Sequence, residues 1–212
     1  MDATSLTHKL LSVVTAAVCL LALSCGQQEY DVDKISPDRT YRARIEVRAR
    51  PPKGTRNYTE HVKVQFFRGG EIIHTYEGEE SDEYEPSFQD LHPVVEWVDD
   101  KTFRMGEDRS NQPFYDELIV SNNTDQHLKY VSVSYAKDES FETLDLAPRS
   151  QVTLLASPGF KADGAVSNYS LGYGGMTEGG KQVHGAVEGR KRKSPSDGPL
   201  KLQVTINDND LQ

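Results

Sequence analysis

Cysteine is nearly missing: the 212 residues contain two, Cys19 and Cys25. A chain with so few cannot be the densely cross-linked framework typical of small secreted domains. Helical periodicity is missing as well, since nowhere does a 3.6-residue apolar pattern last three turns, which excludes a helical architecture. Cations are in deficit, with 24 Lys and Arg against 33 Asp and Glu and a net charge of -9. That balance excludes general nucleic-acid binding, which needs positive side chains to neutralise phosphates.

Chemistry-bearing motifs are also absent. There is no Gly-x-Ser-x-Gly elbow and no His-Glu-x-x-His pair. Histidines 61, 74, 92, 127 and 184 include no two at metal-ligand spacing, and most fall on polar faces of expected strands. No catalytic residue, metal ligand or cofactor is assigned on this basis. The acidic run 77–90 lacks the Asp-x-Asp-x-Asp-Gly spacing that pre-arranges calcium ligands, and it reads as a solvated loop. A glycosidase-like enzyme would need two carboxyls about 5–10 Å apart, which sequence cannot display. A hydrolytic or carbohydrate-processing enzyme with converging carboxylates therefore stands as the alternative reading.

Long apolar stretches are limited to one, the uncharged run Leu10–Leu23. As a helix it would cover about 21 Å, short of the roughly 30 Å hydrocarbon core. That length suits the apolar region of a secretory signal, with Lys9 as its positive flank. The run closes on Leu21-Ala22-Leu23-Ser24-Cys25, which resembles the lipobox of bacterial lipoproteins, with Ala22 where leucine is commoner. The resemblance implies cleavage before Cys25, diacylglycerol on its thiol and often a further acyl chain on the new amino group. Cysteine usage agrees: Cys19 leaves with the signal, so Cys25 is the only thiol of the mature chain. More than one acyl chain also gives stable anchoring, whereas a single chain holds a membrane only marginally. The expected location is the bacterial cell envelope, lipid-anchored and facing the periplasm or exterior. Three Asn-x-Ser/Thr sequons permit a eukaryotic glycoprotein reading, but a secreted eukaryotic chain would carry disulfides.

What is present is alternation. Residues 25–37 are polar and read as a lipid-anchored tether. Tyr41, Ala43, Ile45, Val47 and Ala49 then alternate with Arg42, Arg44, Glu46, Arg48 and Arg50, which predicts a strand with one buried and one cationic face. Val62, Val64 and Phe66 predict a second strand, and Gly69-Gly70 a two-residue hairpin that sets Phe66 opposite Ile73 and Gln65 opposite His74. Residues 94–98 and 102–105 read as a further hairpin. The frame Ser36-Pro37-Asp38…Trp97-Val98-Asp99-Asp100 resembles a beta-propeller blade and equally the stand-alone units of uncharacterised bacterial lipoproteins. Arg39 stands where that frame usually has glycine. One copy does not make a propeller, so the single-unit reading is preferred.

After a polar break at Glu107–Pro113, strands are expected at 114–121, 127–136, 141–146, 151–156, 165–173, 182–188 and 200–206. Seven short strands in about 100 residues resemble immunoglobulin-like sandwich modules. The expected organisation is a signal peptide (1–24), the tether (25–37), a small antiparallel sheet unit (38–107) and an immunoglobulin-like β-sandwich (114–212). The fold class is all-β.

For function, the reading is a non-catalytic binding or structural protein held at the membrane through the lipid on Cys25. Its partners would be an envelope protein or a glycan. The one basic cluster, Arg190-Lys191-Arg192-Lys193, is the local candidate for an anionic partner. Gly172-Tyr173-Gly174-Gly175 fits either a sugar-stacking platform or the turns and close approaches of a sandwich.

Overall fold

The computed structural model describes residues 29–50, 58–82, 94–106, 108, 110, 114–135, 139–157, 170–188 and 198–212. They form thirteen strands and one short 3₁₀ turn, Asp208–Asp210, so the protein is all-β. Three sheets are present. β1 (Glu29–Ile35), β2 (Tyr41–Arg50), β3 (Tyr58–Arg68) and β4 (Glu71–Asp82) make a four-stranded antiparallel meander. β5 (Val94–Trp97) and β6 (Thr102–Gly106) join β8 (Leu128–Tyr135), β9 (Glu139–Leu146), β11 (Ser170–Thr177) and β12 (Gln182–Glu188) in a six-stranded sheet, order β12-β11-β8-β9-β6-β5. β7 (Asp116–Asn122) lies between β10 (Ser150–Ala156) and β13 (Lys201–Ile206), antiparallel to the first and parallel to the second.

Two cores hold these sheets together. In one, Leu118, Val120, Leu154, Val204 and Ile206 of the three-stranded sheet meet Val131, Val133, Phe141 and Leu171 of the six-stranded sheet. In the other, Ile45, Val64 and Phe66 of the meander meet Val95, Phe103, Met105 and Leu144. The six-stranded sheet is therefore the shared layer, and β9 serves both cores. Alternation alone sends Phe141 to one core and Leu144 to the other, and Asp145 then adds a departure from it. Its φ of 61° breaks the period-two alternation, so that Leu144 enters one core and Leu146 the other. The left-handed conformation is tolerable here because short Asp is among the few non-glycine residues that visit it.

Several elements differ from the sequence reading, each for an identifiable reason. The expected tether is shorter, because Glu29–Ile35 is the edge strand β1. Tyr30 and Val32 point inward while Asp31 and Asp33 lie outside, facing Arg44 at 2.8 Å and Arg42 at 3.9 Å on β2. Two apolar residues are too few to announce a strand, and its partner's arginines complete the signal. The Gly69-Gly70 turn pairs Arg68 with Glu71 as expected, but a bulge between Phe66 and Phe67 pairs Phe66 with His74 and Gln65 with Thr75. One extra residue in β4 leaves Ile73 unpaired and shifts everything beyond it. The boundary drawn at 107–114 is crossed by hydrogen bonding, since β6 pairs with β9 from Thr102↔Thr143 to Met105↔Ser140. The sandwich also has its own strand order, β10-β7-β13 against β12-β11-β8-β9. An immunoglobulin constant domain instead orders its first sheet first-second-fifth-fourth.

The Ser36…Asp100 frame fastens the meander to the central sheet. Ser36 donates its hydroxyl to Asp38 Oδ1 at 2.7 Å and accepts the Tyr41 amide at 2.9 Å. The Asp38 amide donates to Asp100 Oδ1 at 3.0 Å, and the Trp97 indole N–H donates to the Lys34 carbonyl at 3.1 Å. Hydrogen bonds from Thr40 and Ser36 hold the Asp38 carboxyl below the usual carboxylate range. Arg39 has φ 65°, the conformation that the usual glycine of this frame would supply without strain. Arg39→Gly is expected to stabilise the fold by about 0.5–1 kcal/mol, the left-handed strain relieved less the extra freedom glycine adds to the unfolded chain. A higher urea midpoint at unchanged slope is the corresponding observation.

Candidate functional site

Cys25 and Arg190, Lys191, Arg192 and Lys193 lie outside the described residues, as do His92 and most of the acidic run. Among the described acidic residues of that run, Glu77 pairs with Lys63 at 3.1 Å. No three His, Cys, Asp or Glu side chains converge as a metal site among the described residues. Of the β11 glycines only Gly175 is required by packing, since a Cβ on Gly172 would meet nothing within 4 Å and one on Gly174 only an ordinary contact at 3.8 Å. A Cβ on Gly175 would lie 2.7 Å from the Tyr130 carbonyl, and the Tyr173 ring lies over Gly185 of β12. Asn122, one of the sequon asparagines, is buried and donates to three carbonyls, those of Gln126, Leu146 and Ala147.

Two groups of ionisable side chains are enclosed between layers. Arg104 lies almost wholly buried on β6, with Nε 2.6 Å from Glu139 Oε1 and Nη1 3.2 Å from Glu96 Oε1. The other oxygen of Glu139 accepts the Ser157 amide. Gly106 leaves the room this needs, since a Cβ there would lie 3.0 Å from Glu139 Cγ. The second group is His74 with Glu142, Ser132 and Tyr130. The β4 bulge turns His74 inward, contrary to the polar-face position expected for it. Its ring stacks on Tyr130 with centroids 3.7 Å apart, and its Nε2, without a hydrogen-bond partner, lies 3.7 Å from Glu142 Oε2. Burial lowers the His74 pKa to about 4. Burial raises that of Glu142 to about 7 against the opposing hydrogen bond from Ser132. Arg104, Glu139 and Glu142 are buried and His74 nearly so, and both groups read as inter-layer fastenings.

The surface offers a different kind of feature at one end of the meander. Pairing brings Ile35, Arg42, Phe67 and Ile72 into a single row across all four strands. Ile35 is 61% and Ile72 47% exposed, the two most exposed large apolar side chains among the described residues. Between them the Arg42 guanidinium lies 4.3 Å from the centroid of the Phe67 ring. Beside the row is a hollow of about 740 Å³ lined by Ile35, Pro37, Arg39, Tyr41, Arg42 and Phe67, among others. Arg39, strained and exposed, forms no ion pair among the described residues. Behind it Arg68 lies 3.7 Å from Glu178 and 4.0 Å from Asp145. Burial pushes the Asp145 carboxyl up, but Lys101 at 2.9 Å, with His127 and Arg68, outweighs it and holds the group ionised and low.

This corner combines apolar side chains with guanidinium groups at the mouth of a hollow, so it suits a ligand presenting apolar groups and carboxylates. Sequence reasoning missed it. The arginines of β2 were legible as a cationic face, but Ile35 was assigned to a tether and the row needs the pairing of four strands. The fold defines an all-β, sandwich-type protein. Comparison of the chain with family models, curated proteins and solved structures found no match.

Proposed function

We propose that this chain is a lipid-anchored protein of the bacterial cell envelope with a non-catalytic binding role. Acyl chains on Cys25 would hold it on a membrane, and its folded part would face the periplasm or exterior. The observation that carries the binding role is the Ile35–Arg42–Phe67–Ile72 row with its cationic hollow. β1 runs from Glu29 to Ile35, so the row lies at the end of the sheet away from Cys25, where an envelope protein could reach it. Residue strain at Arg39 agrees, because strained backbone concentrates at functional sites. Arg190–Lys193 remains a separate proposal for contact with an anionic glycan or surface.

Replacing Cys25 with serine is expected to move the protein from the membrane fraction to the soluble fraction and to abolish palmitate incorporation. Retention of the unprocessed chain in the membrane would defeat the anchor. For the binding role, a photo-crosslinking residue at position 35 or 72 should capture a discrete envelope partner. The same residue at Gln203, on the outer face of the three-stranded sheet, should not. Equal capture from both faces would remove the corner as the site.

A further inference from the structure

The opposite end of the meander has a different chemistry. Pairing aligns Arg48 with His61 and, one row further in, Glu46 with Lys63 and Lys63 with Glu77. These side chains line a hollow of about 390 Å³, within the size range of ligand sites. Both signs of charge are present and already sorted. Glu46 faces Arg44 at 2.9 Å and Arg48 at 3.5 Å, while Lys63 and Glu77 are 3.1 Å apart. Arg48 is 63% and Glu77 66% exposed, so their pairs are surface pairs, weak and readily exchanged for a ligand's charges. A simple anion would be repelled by the two carboxylates and a simple cation by Arg48 and Lys63. A zwitterion satisfies both sets.

Position selects which zwitterion. Glu29, the first residue of β1, pairs with Arg48. Only residues 26–28 separate it from Cys25, and even fully extended they bring the lipid and the strand within about 14 Å. An acyl-bearing Cys25 therefore holds this end of the sheet against the headgroup layer. We propose that the hollow receives the phosphoethanolamine headgroup of the anchoring bilayer, an inference that rests on the lipid-anchor reading. Arg48, His61 and Lys63 would meet the phosphate, and Glu46 and Glu77 the primary ammonium. A choline headgroup offers the carboxylates no N–H to accept, so it should be discriminated against. Seated this way, the meander stands with its Ile35–Ile72 row directed away from the membrane.

The test uses the mature chain with Cys25→Ser, which carries no lipid of its own, on vesicles of phosphatidylcholine alone or mixed with phosphatidylethanolamine or phosphatidylglycerol. Retention should be greatest with phosphatidylethanolamine and should fall when soluble phosphoethanolamine is added. Arg48→Ser with Lys63→Ser should weaken it by about fivefold or more, the scale of one lost charge contact at a membrane surface. The decisive variant is Glu46→Gln with Glu77→Gln. Removing carboxylates makes the surface more cationic, so simple charge attraction would strengthen retention on phosphatidylglycerol and leave the two zwitterionic lipids alike. Zwitterion recognition instead weakens it on phosphatidylethanolamine alone. Equal retention on the ethanolamine and choline lipids, or a gain from the Glu→Gln pair, overturns the proposal. Binding of soluble phosphoethanolamine without vesicle retention overturns the lipid assignment in favour of a small-molecule site. Palmitate labelling of the unaltered chain reports the anchor separately, so an unlabelled chain whose hollow still prefers phosphatidylethanolamine would sink the anchor and leave the hollow.

Discussion

Arg104→Ala is expected to destabilise the protein by about 3–5 kcal/mol, enough to unfold much of it at physiological temperature. The Arg104 side chain is 1% exposed and that of Glu139 4%, so removing the cation takes away the counter-charge of a buried carboxylate that also accepts the Ser157 amide. The same change removes the side-chain ion pair between β6 and β9, strands whose antiparallel pairing joins residues 94–106 to the sandwich. The double replacement Arg104→Met with Glu139→Leu separates the two causes. If loss of the ion pair itself were the problem, the double variant would be as damaged as the single. An uncompensated buried charge predicts substantial recovery, because similar-volume apolar groups replace such pairs at little cost. Urea denaturation of Arg104→Ala and the double variant decides it, provided the slope stays constant.

His74→Gln is expected to make stability strongly pH-dependent where the parent protein is nearly flat. Burial raises the Glu142 pKa from 4.5 to about 7, so the unfolded chain releases a proton that the folded chain keeps. Ionisation then favours unfolding, and stability falls as pH rises from 4.5 to 7. His74 acts oppositely. Its pKa is lowered from 6.5 to about 4, so its contribution is lost as pH falls from 6.5 to 4. Between pH 4.5 and 6.5 the pair holds one proton in both states, on His74 when unfolded and on Glu142 when folded. The two slopes cancel there. Tyr130, the other ionisable group of the cluster, has its pKa raised by burial and by Glu142, and stays neutral throughout. Without His74 the Glu142 slope stands alone and should remove roughly 3 kcal/mol between pH 4.5 and 7. Glu142→Gln should show the reverse, stability rising from pH 4 to 6.5. Melting temperatures flat with pH in both variants would refute the assignment.

Much of the architecture was legible because period-two alternation is a local property. Tyr41, Ala43, Ile45 and Val47 are buried and the arginines between them are not, as their spacing requires. β13 buries Leu202, Val204 and Ile206 for the same reason. The Gly69-Gly70 turn appears where it was expected, with both glycines at positive φ. Pairing beyond the turn was not legible, because a bulge depends on what the extra residue meets in the opposing layer. Here it admits Ile73 to the core and sets His74 on Tyr130. The candidate sites were still less accessible. Ile35 and Ile72 are 37 positions apart in the chain and belong to opposite edges of one sheet, so no sequence window contains their row.

The sequence by itself determined the all-β class, the faces of the regularly alternating strands and the acidic balance, since each follows from a residue and its near neighbours. It also carries the case for Cys25, a matter of one short stretch. Only the tertiary structure decided that β5 and β6 extend the sheet of the second half, that a third layer covers it, and that Arg104 and Glu139 form a buried ion pair. Those outcomes depend on which of several equally alternating strands become neighbours. That choice is made by long-range packing and charge pairing, to which a local pattern is blind.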